Sequence, residues 1–129
     1  MKDGLGLYRL DQHRTPVPCS METWGEWFTN VDRQTALTKI GHICVSTVFM
    51  AIDHNFGDGR PLLWETMVFG GELNDQQWRY STEEEAKKNH DRIVQEIKDH
   101  QRGGRVYMFL LRVGKWFESV DWLKWFRRR

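Results

Sequence analysis

Asp53, His54, Glu65, Tyr80 and His90 are the residue types in this chain that could carry acid–base chemistry or hold a metal. Asp53 and His54 close one strand-like run and Glu65 lies inside the next, so antiparallel pairing would bring them together. A helix crossing the sheet could then deliver His90 to the same face. The spacings do not support a site. There is no His-x-x-x-His, no Cys-x-x-Cys, and no second histidine within one turn of His90 on its helix stripe. No metal, cofactor or catalytic residue is therefore assigned, and a small metal-dependent or acid–base enzyme built on Asp53, His54, Glu65 and His90 stands as an alternative. The plainer readings make His54 a turn residue beside Asn55 and Gly57, and His90 a core-edge histidine whose ring bonds a backbone carbonyl. Glu65 alternates with Leu63, Met67 and Phe69, an apolar row in which a carboxylate needs a donor. Arg79 from the neighbouring segment is the candidate, as one half of a salt bridge.

Nucleophiles are equally sparse. Cys44 lies in a buried-type strand where a thiol is inert, and Cys19 sits between Pro18 and Ser20 with only His13 nearby in sequence. Gly57-Asp58-Gly59 lacks the third glycine and the following helix of a dinucleotide fingerprint, and neither Gly-x-Ser-x-Gly nor a Walker A motif is present.

Binding chemistry is better represented. The connection 53–61 exceeds the roughly two to five residues a hairpin needs. Asp53, His54, Asn55 and Arg60 supply charge and hydrogen-bond capacity there, Phe56 a stackable ring, and Gly57 and Gly59 close backbone approach. The competing reading is a stiff turn in which Asp53 and Asn55 bond their own backbone and Phe56 plugs the core. Arg79 and Tyr80 complete the candidate ligand or partner contacts. Near the C-terminus, Trp122, Trp125, Phe126 and Arg127 form an aromatic and basic cluster with Arg112, Lys115, Lys124, Arg128 and Arg129, read as a solvated terminus, as a segment docking on a partner or an anionic surface, or, last, as a nucleic-acid contact.

The elements that must position these residues follow from periodicity. Residues 5–10 and 15–18 read as short extended pieces at an edge, the prolines at 16 and 18 fixing the second. Ser20 is an N-cap type and Met21, Trp24, Trp27 and Phe28 recur at helical spacing, so a short helix is expected over 21–29. Residues 30–40 are polar with weak periodicity and read as a loop or irregular strand. Residues 43–52, β-branched and apolar on both alternate faces, suit a central strand. Residues 62–69 repeat that composition, which makes 43–69 a β-hairpin, and 76–80 is short enough for a further strand. Ser81 with Glu84, or Thr82 with Glu85, matches a capping box ahead of a helix over 82–99, whose stripe is Ala86, His90, Ile93, Val94 and Ile97. Gly103-Gly104 stops it. Residues 105–113 are strand-like and 115–129 suit a final amphipathic helix. The expected fold is α+β, an antiparallel sheet of about four to five strands with the long helix on one face, a single domain over 1–104 and an extension over 105–129.

With 129 residues, 40% hydrophobic and 29% charged, the chain suits one soluble domain and excludes global disorder. Lys plus Arg is 19 and Asp plus Glu 18, a net charge of +1 that disfavours a dedicated nucleic-acid binder. No apolar run approaches the roughly 20 residues of a membrane span. The start, Met1-Lys2-Asp3-Gly4, has no apolar signal core, so a cytosolic location with Cys19 and Cys44 as free thiols is expected.

Four sequence words carry a resemblance: Val45-Ser46-Thr47-Val48-Phe49, Asp53-His54-Asn55-Phe56-Gly57, 61–71 (Pro-Leu-Leu-Trp-Glu-Thr-Met-Val-Phe-Gly-Gly) and 78–86 (Trp-Arg-Tyr-Ser-Thr-Glu-Glu-Glu-Ala) with His90. Together they resemble a family of small uncharacterised proteins of tailed bacteriophages and prophages; the aromatic, basic stretch from Arg105 onward departs from that pattern. The resemblance implies a phage origin and an accessory-gene context, and it implies no mechanism; together with the cytosolic default read from the N-terminus, the expected location is the host cytoplasm. The expected function is non-enzymatic: binding and neutralising a host component, either a host-defence protein or a nucleotide-like immune signal. A homo-oligomer is compatible with this, and a minor virion or assembly protein is the other alternative.

Overall fold

The computed structural model describes residues 5–103, and the expected elements over 105–129 lie outside them. The fold is α+β. Strands β1 (Tyr8–Leu10) and β2 (Pro16–Pro18) precede helix α1 (Met21–Asn30), followed by β3 (Gln34–Ile40), β4 (Ile43–Phe49), β5 (Trp64–Phe69), β6 (Gln77–Tyr80) and helix α2 (Glu83–Gly103). β3 to β6 form an antiparallel meander in sequence order, and β1 with β2 forms a separate two-stranded sheet.

The hairpin expected over 43–69 is present, with Cys44 opposite Phe69 and Phe49 opposite Trp64. β4 stops earlier than its composition suggests. Ala51, fully buried, adopts φ 65°, and this left-handed residue turns the chain out of the sheet. The two-stranded sheet is attached at that bend: Leu7 bridges Ile52, and Tyr8 N donates to Ala51 O at 2.9 Å. The opening residues are thus a small hairpin of their own and not an edge of the main sheet.

Residues 30–40, expected as a loop or irregular strand, hold the edge strand β3, whose register with β4 shifts between Gln34 and Ala36. Its weak periodicity has a simple cause. An edge strand is partly solvated on both faces, and β3 is exposed or half-buried throughout, so no alternation marks it. At the far end of the meander, Gly70 and Gly71 have φ of 93° and 72°, and a Cβ on Gly70 would lie 2.9 Å from His42 O. Glycine is required there for β5 to turn beside the β3–β4 connection.

The core lies between the sheet and α2. Ile43, Val45, Phe49, Trp64, Val68 and Trp78 meet Ala86, Ile93 and Ile97. Burying a side chain such as Phe49 or Ile93 contributes on the order of 2 kcal/mol. α1 closes one end: its cap Ser20 accepts from Thr23 N, Trp27 meets Phe49 edge-on at 5.7 Å, and the Trp24 indole donates to Ala51 O at 2.9 Å. α2 begins as expected, with Thr82 Oγ1 accepting from Glu85 N, and runs past residue 99 to Gly103. Its first-turn acids are held by other elements: Arg14 bonds Glu83 at 2.6 Å and Arg60 bonds Glu85 at 2.6 Å. Among the described residues no helix is long and apolar enough to cross a membrane.

Candidate functional site

Strand alternation separates the residues that an enzyme would need together. In β5, Trp64, Thr66 and Val68 face α2, so Glu65 lies on the opposite face of the sheet from His90. There it sits across from Arg79, whose Nε donates to Glu65 Oε2 at 3.0 Å, the pairing the sequence suggested. Asp53 is buried in the connection after β4, where its Oδ1 accepts from Asn55 N at 2.8 Å and Leu62 N at 3.0 Å. His54 Nδ1 donates to Ile52 O at 2.9 Å. The proposed Asp53, His54, Glu65 and His90 cluster is therefore not assembled. Among the described residues no group of three His, Cys, Asp or Glu side chains is placed to hold a metal. Burial also pushes the Cys19 thiol up, away from nucleophilic use.

His90 is not at the core edge and does not bond a carbonyl. It is 2% exposed, with Nε2 at 2.9 Å from Thr38 Oγ1 and Nδ1 at 2.8 Å from Thr47 Oγ1. The bonds continue through the core. Thr47 Oγ1 meets Thr66 Oγ1 at 2.6 Å, Tyr80 OH donates to Thr66 Oγ1 at 3.1 Å, and Asn89 Nδ2 donates to Tyr80 OH. Because Thr66 accepts from Tyr80, each hydroxyl is satisfied once if Thr66 donates to Thr47 and Thr47 to His90 Nδ1. The imidazole is then the neutral Nε2–H tautomer, donating to Thr38. Tyr80, expected as a surface contact, is instead 1% exposed and belongs to this chain of bonds, with burial raising its phenol well above the usual value. Sequence reasoning passed over Thr38, Thr47, Thr66 and Asn89. The available signal was a histidine and an asparagine side by side on the helix face that Ala86, Ile93 and Ile97 define.

Burial holds the His90 pKa below its ordinary 6.5, and the opposing pull of Asp91 is the smaller effect. The folded state keeps the ring neutral while the unfolded chain takes up a proton near pH 6.5, so stability is complete above that pH and declines as pH falls towards the lower folded value. Thermal midpoints measured between about pH 7.5 and 5 should fall, and the His90→Gln protein, less stable throughout, should lack that step. An identical pH profile in both proteins would contradict this.

Comparison of the chain with protein-family models, with curated proteins and with solved structures gives no match.

The connection 53–61 combines two features that the sequence offered as alternatives. It is stiff: besides the Asp53 bonds, Asn55 Oδ1 accepts from Gly57 N at 3.1 Å and Asn55 Nδ2 donates to Arg60 O at 2.9 Å. Phe56 nevertheless does not plug the core. Its ring is 92% exposed, 6.5 Å from that of His54. Arg60 is tied by Glu85 to the start of α2, which fixes the connection against the helix. Of the expected contacts, then, Asp53 and Asn55 shape the loop, His54, Phe56 and Arg60 are on its surface, Arg79 is on the far sheet face and Tyr80 is core. Trp122, Trp125, Phe126 and Arg127 lie outside the described residues.

Proposed function

We propose that this is a small phage accessory protein that acts without catalysis, by binding and neutralising a protein of the host cytoplasm through the 53–61 connection. The observation that carries the reading is the Phe56 ring, fully presented by a loop whose own hydrogen bonds hold it in one shape. A rigid exposed aromatic binds with little ordering cost and is the kind of residue that anchors a protein interface. The surrounding chemistry favours a protein partner over an anionic nucleotide: Arg60 is paired with Glu85, and Asp58 adds negative charge at the same tip. The host-defence assignment rests on the phage resemblance.

Phe56→Ala tests the reading. Protein purified from phage-infected cells should carry a stoichiometric host partner, and the variant should lose at least about tenfold in affinity for it, roughly 1.4 kcal/mol. The thermal midpoint should not change, because the ring contacts solvent. Undiminished affinity in Phe56→Ala would remove the connection from the interface. The His54→Ala/Arg60→Ala double variant extends the test to the flanking polar groups, with the same direction expected.

A further inference from the structure

The four-stranded sheet ends on β3 at one side and β6 at the other, and among the described residues no strand pairs with the outer edge of β3. One bond sets which backbone groups that edge offers. Phe49 N donates to Arg33 O at 2.9 Å, so Phe49, Thr47, Val45 and Ile43 turn their N–H and C=O towards β3. Ala36, Thr38 and Ile40 stand opposite the last three and face β4 in return. Leu37 and Lys39 alternate with them and aim their N–H and C=O away from the sheet. Four strong hydrogen-bonding groups lie in line there, and an added extended chain satisfies them together.

The bulge that could blunt this edge lies before these residues. The register shift falls between Gln34 and Ala36, where the Gln34 side chain fills the irregularity by donating to Ala36 O at 2.7 Å and Thr47 O at 2.9 Å. Residues 36–40 pair regularly with β4 and contain no proline. The side chains beside the free groups fit β3 itself. In an antiparallel pairing of two β3 strands about Thr38, each Leu37 stands opposite a Lys39 and exchanges two bonds with it, which uses all four groups of each copy. On the face where Thr38 meets His90, threonine then opposes threonine and small Ala36 opposes large Ile40. On the other face Leu37, 51% exposed, lies against the aliphatic stem of Lys39, and no like charges oppose each other. Centring the pair on Leu37 would instead drive Lys39 against the bulge. The two-fold about Thr38 stands perpendicular to the sheet, so both copies keep α2 on the same side.

We infer that a second copy of this chain pairs with the β3 edge, Leu37 opposite Lys39 in both directions, and continues the sheet across a two-fold axis. This is independent of the binding role given to Phe56.

Sedimentation of the full chain should show single chains at about 1 µM and pairs at about 100 µM. Over that range hydrogen exchange at the Leu37 and Lys39 amides should slow by at least about tenfold, and by less at Thr38 and Ile40, which β4 already protects. Leu37→Pro removes only an outward N–H, which an edge tolerates, so the variant should stay folded and single at about 100 µM. Leu37→Lys sets lysine against Lys39 and should weaken the pairing at least about tenfold, whether or not the proline variant folds. Adding Lys39→Glu makes each of those contacts an ion pair and should restore the pairing. Chains that stay single at about 100 µM would overturn the proposal, as would a dimer that Leu37→Lys leaves unweakened or that Lys39→Glu does not restore. Protection of the Leu37 and Lys39 amides that persists at about 1 µM would overturn it too, since it assigns the edge to another part of the same chain.

Discussion

Thr47→Val should lower the midpoint of thermal unfolding by on the order of 10 °C, although valine matches threonine in shape and the site is fully buried. The loss is electrostatic. Thr47 Oγ1 stands between His90 Nδ1 and Thr66 Oγ1, at 2.8 and 2.6 Å. A methyl in its place leaves an imidazole acceptor and a threonine hydroxyl facing hydrocarbon, and each such orphan costs about 1–3 kcal/mol. Thr47→Ser, which keeps the hydroxyl, should recover most of the stability and isolates the hydrogen bonds from the packing. A Thr47→Val protein as stable as the original would mean that the core hydroxyls contribute nothing net, as happens when an apolar replacement offsets the lost bonds.

Asp53→Ala should be nearly as severe, with a loss of about 2–3 kcal/mol, because one carboxylate oxygen satisfies the amides of both Asn55 and Leu62. Asp53→Asn keeps an oxygen at that position and should cost much less. The pair also separates stability from binding. In the alanine variant the loop loses the anchor that joins its two ends, so Phe56 should bind a partner more weakly even at temperatures where the domain stays folded. Hydrogen exchange at Asn55 and Leu62 would read this out, with faster exchange expected in Asp53→Ala and near-native protection in Asp53→Asn. Equal protection in all three proteins would show that the loop does not depend on Asp53.

α2 was legible in the sequence because it buries one continuous stripe, which writes a period into the chain, and the central hairpin because two β-branched, apolar runs flank a stretch rich in turn residues; apolar residues on both alternate faces of 43–52 did not show that only one face of β4 is fully buried. The Glu65 and Arg79 pair was legible from alternation, which isolates a carboxylate among Met67 and Phe69, with β6 the nearest source of a cation. β3 left no such mark, being half-wet on both sides. The core hydroxyls could not be read either, since Thr47 faces Thr66 only through the register that the 50–63 connection sets, and threonine in a strand looks like ordinary β-branched filling. Tyr80 was misplaced because a tyrosine beside Arg79 resembles a surface contact until the sheet turns alternate residues inward. The exposure of Phe56 depends on Asp53 and Asn55 completing the loop from within, so the ring is not needed to plug it.

The hydrogen-bonded side chains beneath α2 also select among ways of docking that helix. Interfaces made of Ala, Ile and Val tolerate sliding by one turn, about 5.4 Å, because one aliphatic knob can replace another. Here such a slide would carry Ile93 to the place of Asn89 and Val94 to that of His90, setting hydrocarbon against Tyr80 OH and Thr47 Oγ1 while Asn89 and His90 moved onto apolar strand residues. Neighbouring alignments are therefore penalised from both sides at once, and the helix has a single seat. With that seat His100 reaches Glu72 and Glu85 reaches Arg60, so the ion pairs that α2 makes with the turn after β5 and with the 53–61 connection follow from the same alignment.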